Sequence, residues 1–355
     1  MRGTALTSAF GAGVRGRHLP RLRGHRNMKN SIHRVDFDTF GGPDVLVYRA
    51  AELSAPAAGQ VQVSHRAIGV NYLDTYHRSG LYPLPLPATP GVEAAGVIVA
   101  VGDGVTGFAE GDRVAWLASP GAYASAANVA ADRVVPIPDG ISFETAASAM
   151  VKGMTAEFLL HRAIEVRAGD AILVHAAAGG VGSLLVQWGF KLGATVIGTV
   201  GSTAKAEFAR SLGAHHVIEY RTESVVDRVR ELTGGRGVRV VYDGVGKDTL
   251  AQSLQCVQRR GLLVSFGQAS GTPDPIALSA LSAQGSIYVT RPTLFHYVAE
   301  RAELLESAGR VFSALQRGWL TIPVTARFAL RDAAKAHRLL EGRQTTGAVV
   351  LVPEE

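Results

Sequence analysis

Residues 60–69 (QVQVSHRAIG) alternate apolar and polar side chains, the period of a half-buried strand. Residues 96–102 and 112–117 predict further short strands punctuated by Gly and Asp, and residues 82–90, with four prolines, predict a loop. After Lys152 the pattern changes. Apolar runs at 171–175, 195–200, 216–220, 238–242, 262–266 and 286–290 predict buried strands, and helical segments at 203–212, 224–233 and 248–257 separate most of them. Strand–helix alternation at this spacing predicts a parallel sheet with right-handed crossovers. From about Pro292 the pattern predicts a long helix over 298–317, a short one over 331–341 and a last strand at 347–352. The economical architecture is a β-rich domain begun by residues 28–152, interrupted by an α/β domain at 153–291 and completed by residues 292–355.

Composition is globular: of 355 residues, 47% are hydrophobic and 19% charged. The net charge of +6 invites a nucleic-acid reading, but residues 1–27 carry six arginines and no acid. Residues 28–355 are therefore formally neutral, with no global pull on nucleic acid. The basic leader reads either as a mitochondrial-type transit segment or as sequence upstream of a functional start at Met28. Its few hydroxyls and lack of an amphipathic stripe favour the second reading. The expected location is cytoplasmic, or the mitochondrial matrix if the leader is a transit segment. Cys256 is the only cysteine, so no disulfide forms within the chain, which fits a reducing compartment. Residues 171–190 lack formal charge, yet their glycines fit strand, turn and helix better than a membrane span.

His175-Ala-Ala-Ala-Gly-Gly-Val-Gly182 follows a buried run and opens a helix whose apolar face is Val181, Leu184, Leu185, Trp188 and Leu192. Its last six residues match G-x-G-x-x-G with Ala177 in the first place. Gly179 allows close approach of a pyrophosphate, and Gly182 allows the helix to pack on its strand. The helix N-terminus offers free N–H groups and positive dipole character to phosphates. This is a Rossmann-type, doubly wound dinucleotide site, and Ala178, Gly179, Gly180 and Val181 are its expected phosphate-binding residues. The second strand ends without the acid that would bind a ribose 2′-hydroxyl; residues 199–205 read TVGSTAK, and the first acid is Glu207. A 2′-phosphate fits there, with Gly201, Ser202 and Lys205 around it and Tyr220 closing the next strand, so NADPH is the expected cofactor. A solvated helix lysine is the plainer reading of Lys205.

These features resemble the medium-chain dehydrogenase/reductase superfamily, and most closely its zinc-free quinone oxidoreductase (zeta-crystallin-like) branch. The resemblance spans residues 32–353 and rests on six segments. They are Phe40-Gly-Gly-Pro-Asp-Val-Leu46, Gly69-Val-Asn-Tyr-Leu-Asp-Thr-Tyr-His-Arg-Ser-Gly-Leu-Tyr82, Gly91-Val-Glu-Ala-Ala-Gly96, the 176–182 turn, Arg259-Arg-Gly-Leu-Leu-Val-Ser-Phe-Gly267 and Arg338-Leu-Leu-Glu-Gly-Arg-Gln-Thr-Thr-Gly347. It implies that the β-rich part is a GroES-like substrate domain. Zinc enzymes of the superfamily use Cys where this chain has Asn71 and His where it has Val92. Glu93 and Asp74 alone make a poor zinc site, so no metal is expected.

The resemblance further implies that Asn71 and Tyr76 face the nicotinamide end and that Thr155 is a cofactor-binding residue. It places Phe266, Gly267 and Arg291 beside the cofactor and brings Arg343 to the same cleft. Asn71, Tyr76 and Tyr82 are the expected catalytic residues, although the two tyrosines fit ordinary buried aromatics equally well. His77 reads as an exposed neighbour. The expected activity is NADPH-dependent reduction of a quinone to semiquinone or hydroquinone, by a homodimer. A quinone is a good acceptor and its reduced anion is protonated by water, so no strong acid is needed. One rival is an enone or alkenal reductase, which must protonate carbon. The other, from a different class, is an RNA-binding zeta-crystallin-like protein. The neutral body and the absence of aromatic–basic motifs argue against it.

Overall fold

The computed structural model describes residues 30–354; the arginine-rich leader, with both readings of it, lies outside them. Strands β1 (Asn30–Asp36) and β2 (Val47–Leu53) form a separate antiparallel ribbon. Next come β3 (Gln60–Val70), helix α1 (Tyr72–Ser79), β4 (Glu93–Val101), β5 (Arg113–Leu117), β6 (Ala126–Ala130) and β7 (Val134–Pro136). These strands pair antiparallel, with β3 bonded to both β4 and β6. The strand expected to be half-buried at 60–69 is buried over most of its length: Val61, Val63 and Ile68 enter the β-domain core, while Gln62 and His65 are buried as well, bonded to Asn128 and to the Ala124 carbonyl.

Helix α2 (Phe143–Phe158), capped by Ser142, leads to the α/β unit. There β8 (Ala171–Val174), α3 (Gly180–Lys191), β9 (Thr195–Val200), α4 (Thr203–Ser211) and β10 (His216–Glu219) form the first half. The second half is α5 (Val225–Leu232), β11 (Val238–Asp243), α6 (Leu250–Cys256), β12 (Val257–Ser265), α7 (Leu278–Ala283) and β13 (Tyr288–Thr290). All neighbouring strands are parallel, in the order β10-β9-β8-β11-β12-β13. Ile172 and Val174 enter one hydrophobic cluster while Leu173 enters the opposite one. Both faces of this sheet are therefore apolar, which is why its strands read as continuous runs.

After α8 (Leu294–Tyr297) and α9 (Arg301–Gln316), β14 (Val324–Ala329), α10 (Ala333–Glu341) and β15 (Ala348–Val352) return to the first sheet. There β15 pairs antiparallel with β3 and parallel with β14. The doubly wound domain is thus inserted in the β-rich one. Two details depart from the sequence reading. The helix expected over 298–317 is broken before Arg301, because Glu300 and Glu303 form a capping box that starts α9 afresh. The division drawn at 152/153 falls inside α2, which packs against β3 and β4 as well as α3 and α9 and so belongs to both domains.

Candidate active site

The strand order of the parallel sheet reverses between β8 and β11, so the connections after these strands diverge and leave a crevice at their carboxyl ends. A cavity of about 470 Å³ opens there, lined by the turns after β8, β11 and β12 and by the opposed face of the β-rich domain. A second, of about 190 Å³, adjoins it and shares His175, Ala176, Gly179 and Thr345. Together they form a two-lobed cleft centred on the glycine turn.

That turn fits a pyrophosphate. Gly179 is the N-cap of α3, and neither a side-chain cap nor an acid in the first turn competes for the helix N–H groups. Gly182 is required on steric grounds: a Cβ there would lie 2.2 Å from the Ala176 carbonyl oxygen. Behind the turn, His175 bonds Thr199 Oγ1 at 2.9 Å and Ser253 Oγ at 2.9 Å, and Ser253 donates to Asp243 at 2.7 Å. Asp243 also accepts the Val245 and Gly246 N–H groups, fixing the facing turn after β11.

The smaller lobe brings together Ala178, Gly201, Lys205, Tyr220 and Arg343. A Cβ on Gly201 would lie 2.5 Å from the Tyr220 hydroxyl, so the tyrosine passes directly over the end of β9. Lys205 donates to the Arg343 carbonyl at 2.7 Å. Burial lowers its pKa, and the nearby cations Arg221 and Arg343 push in the same direction. A bound dianion would relieve that repulsion. Ser202, expected beside the phosphate, stands at the N-cap position of α4 without a side-chain capping bond and lines neither cavity.

The larger lobe collects Asn71, Tyr76, Tyr82, Thr155, Gly180, Val181, Phe266, Gly267 and Arg291. Tyr76 and Tyr82 pack edge to face with ring centroids 5.3 Å apart. The Tyr76 hydroxyl accepts the Gln268 N–H at 3.2 Å, and burial pushes its pKa up to about 12. Arg291 donates to Gly267 O at 2.8 Å, to Ser265 O at 3.2 Å and Oγ at 3.1 Å, and to Tyr82 Oη and Gln268 Oε1 at 3.2 Å each. It clamps the Phe266–Gly267 turn to the tyrosine wall.

Asn71 is held at every polar group. Its N–H donates to Asp74 Oδ2 at 2.8 Å, its Nδ2 to Glu93 Oε1 at 2.7 Å, and its Oδ1 accepts from Lys152 Nζ at 2.8 Å. Glu93 is fully buried beside Gly69, where any side chain would collide with its carboxylate, and it also accepts from Lys152 at 3.3 Å and from the Val151 N–H. Asp74 accepts from Tyr123, whose hydroxyl bonds His337 Nε2 at 2.9 Å. Burial raises Asp74 to about 7. Arg78 joins this network to Glu341 through a two-point ion pair, pinning α1 to α10. His77 corrects the sequence reading: it is buried, not exposed, because α1 turns that face inward, and burial lowers its pKa. Lys152 was missed, although a lysine within the otherwise uncharged run 146–156 was a visible signal.

Two family models match: the alcohol dehydrogenase GroES-like domain over residues 57–139 and the zinc-binding dehydrogenase model over residues 180–307. A quinone oxidoreductase of Salmonella typhimurium is 50% identical over 324 residues, covering 90% of this chain and 99% of that protein. The chain belongs to the zinc-free quinone oxidoreductase branch of the medium-chain dehydrogenases/reductases. Among solved members of the family, the Escherichia coli quinone oxidoreductase complexed with NADPH superposes with a TM-score of 0.89 at 46% identity, covering 90% of this chain and all of that one. A 2-haloacrylate reductase of a Burkholderia species is 46% identical, over 88% of this chain and 97% of its own length.

Proposed function

We propose that this protein is an NADPH-dependent quinone reductase that works without zinc. The observation that carries the reading is the two-lobed cleft: a cationic lobe around Lys205, the glycine turn at its centre, and an aromatic lobe walled by Tyr76 and Tyr82. The quinone oxidoreductase relatives, one of them solved with NADPH, support it.

NADPH, when bound, supplies the hydride. Lys205, Tyr220 and Gly201 hold its 2′-phosphate, residues 178–181 its pyrophosphate, and Arg343 covers the adenosine end. Asn71, Tyr76, Thr155, Phe266, Gly267 and Arg291 position the nicotinamide end. The tyrosine wall orients a planar quinone and excludes water, so the protein contributes proximity and orientation. An NADPH-oxidation screen across quinones, enones and haloacrylates tests this. Rapid turnover with quinones is the expected result; turnover with enones or haloacrylates alone overturns it.

A second reading, reduction of an activated alkene, is favoured by the 2-haloacrylate reductase relative and by the Tyr76 hydroxyl in the larger lobe. We also infer a homodimer in the cytoplasm. Among the described residues β13 ends the parallel sheet with its outer edge unpaired, and Tyr288 on it is exposed, which supports edge-to-edge association. Among the described residues no helix is long and apolar enough to cross a membrane.

A further inference from the structure

Lys152 is a buried cation in the wall of the larger cavity, and neither cofactor binding nor aromatic stacking uses it. An ammonium has three N–H donors. Two are taken, by Asn71 Oδ1 at 2.8 Å and Glu93 Oε1 at 3.3 Å. The stem crosses the start of α3: a Cβ on Gly180 would lie 2.9 Å from Lys152 Cδ and 3.1 Å from Cε. The charge is therefore held between the glycine turn and the N-cap of α1, beside the place where the nicotinamide and substrate meet. Arg291, the other cation among the described lining residues, has its terminal nitrogens committed to Ser265, Gly267, Gln268 and Tyr82.

We propose that Lys152 is a catalytic residue that donates its third N–H to the quinone oxygen on which negative charge collects. The proposal rests on the quinone reductase reading. Hydride delivery turns one quinone oxygen into a hydroxyl, oxidises NADPH to NADP⁺ and leaves the opposite oxygen anionic. A proton from solvent then completes the hydroquinone, and Lys152 keeps its own. Glu93 balances the ammonium while the substrate is neutral. Attraction to the substrate oxygen therefore grows only as charge develops, which favours the transition state over the bound quinone.

Lys152→Met leaves Glu93 unpaired, so the double variant Glu93→Gln/Lys152→Met, which removes both charges, is made alongside it. With saturating NADP⁺, 4-nitrophenol is titrated into the parent and both variants. Its phenolate absorbs distinctly and mimics the reduced oxyanion. The parent should bind the phenolate at least ~10-fold more tightly than either variant, while all three bind 4-nitroanisole, which has no ionisable oxygen, alike. In turnover at saturating NADPH, the variants should lose on the order of 10²-fold in kcat with weakly oxidising quinones and less with strong ones. Equal phenolate affinity in parent and variants, or the same loss for every quinone, overturns the proposal. A parent inactive with all quinones overturns the reductase reading instead, and the phenolate titration still decides the role of Lys152.

Discussion

Lys205 donates its ammonium to the main-chain carbonyl of Arg343, 2.7 Å away and 138 residues along the chain. The contact ties the dinucleotide domain to the C-terminal segment, and it concentrates two cations around one lobe of the cleft. Lys205→Ala should weaken NADPH far more than NADH. The lost charge-assisted contact is worth about 1.5–3 kcal/mol, or roughly ten- to more than a hundred-fold in affinity. Fluorescence titration of both cofactors measures it, and equal losses would remove Lys205 from the 2′-phosphate site.

Tyr76→Phe keeps the ring against Tyr82 and removes a hydroxyl whose pKa of about 12 makes it a weak acid. Quinone turnover should fall by less than about fivefold, the scale of one neutral hydrogen bond near ~1 kcal/mol. A collapse of kcat, with strong enone activity in the parent, would move the assignment to an alkene reductase.

Gly182→Ala should cost roughly five- to more than a hundred-fold in NADPH affinity. The added Cβ meets backbone atoms of Ala176 and Ala177, which cannot step aside as a side chain can, and such overpacking costs about 1–3 kcal/mol. Titration of the variant beside its circular dichroism spectrum separates loss of the turn from loss of the fold.

Exhaustive chelation should leave the turnover rate unchanged, and elemental analysis should find no stoichiometric zinc. Glu93 is already bonded to Lys152, Asn71 and Val151, and Asp74 beside it has no Cys or His to complete a zinc site. One zinc per chain would contradict this reading of the cluster.

Stability should fall with pH between about 6 and 4. His65 donates from Nδ1 to the Ala124 carbonyl and accepts from Trp116, and burial lowers its pKa to about 4. His337 is lowered to about 3, by burial first and then by Arg78. Both histidines are neutral when folded and charged when unfolded in this window, so their stabilisation is lost as pH falls below 6.5. Asp74 acts oppositely. Its folded pKa of about 7 lies above the unfolded value of 3.8, so its term is complete below 3.8 and is lost as pH rises through 7. These three groups leave the unfolded state about one proton ahead, a slope near 1.4 kcal/mol per pH unit. Asp74→Asn keeps an acceptor for Asn71 and Tyr123 and removes the opposing term, so the slope should steepen by about 1.4 kcal/mol per pH unit. Urea unfolding at several pH values measures both chains; an unchanged slope in Asp74→Asn would show that Asp74 is ionised when folded.

The sequence by itself determined what short-range order carries. The continuous apolar runs fixed the parallel strands, because a sheet covered on both faces needs no alternation. The 176–182 turn announced the phosphate site, since its glycines meet steric demands set within a few residues. The acid-free end of β9 pointed to NADPH for the same local reason. Only the tertiary structure decided the rest. Asn71, Glu93 and Lys152 lie on three different elements, and Lys152 reads in isolation as the one cation of a mostly apolar helix until the β-rich sheet packs against α2. His77 looked exposed because nothing local shows which face of an eight-residue helix turns inward, and the Arg78–Glu341 pair that sets that face joins residues 263 apart. Burial and charge pairing are properties of the assembled domains, so the chemistry that depends on them becomes legible only after the chain has folded.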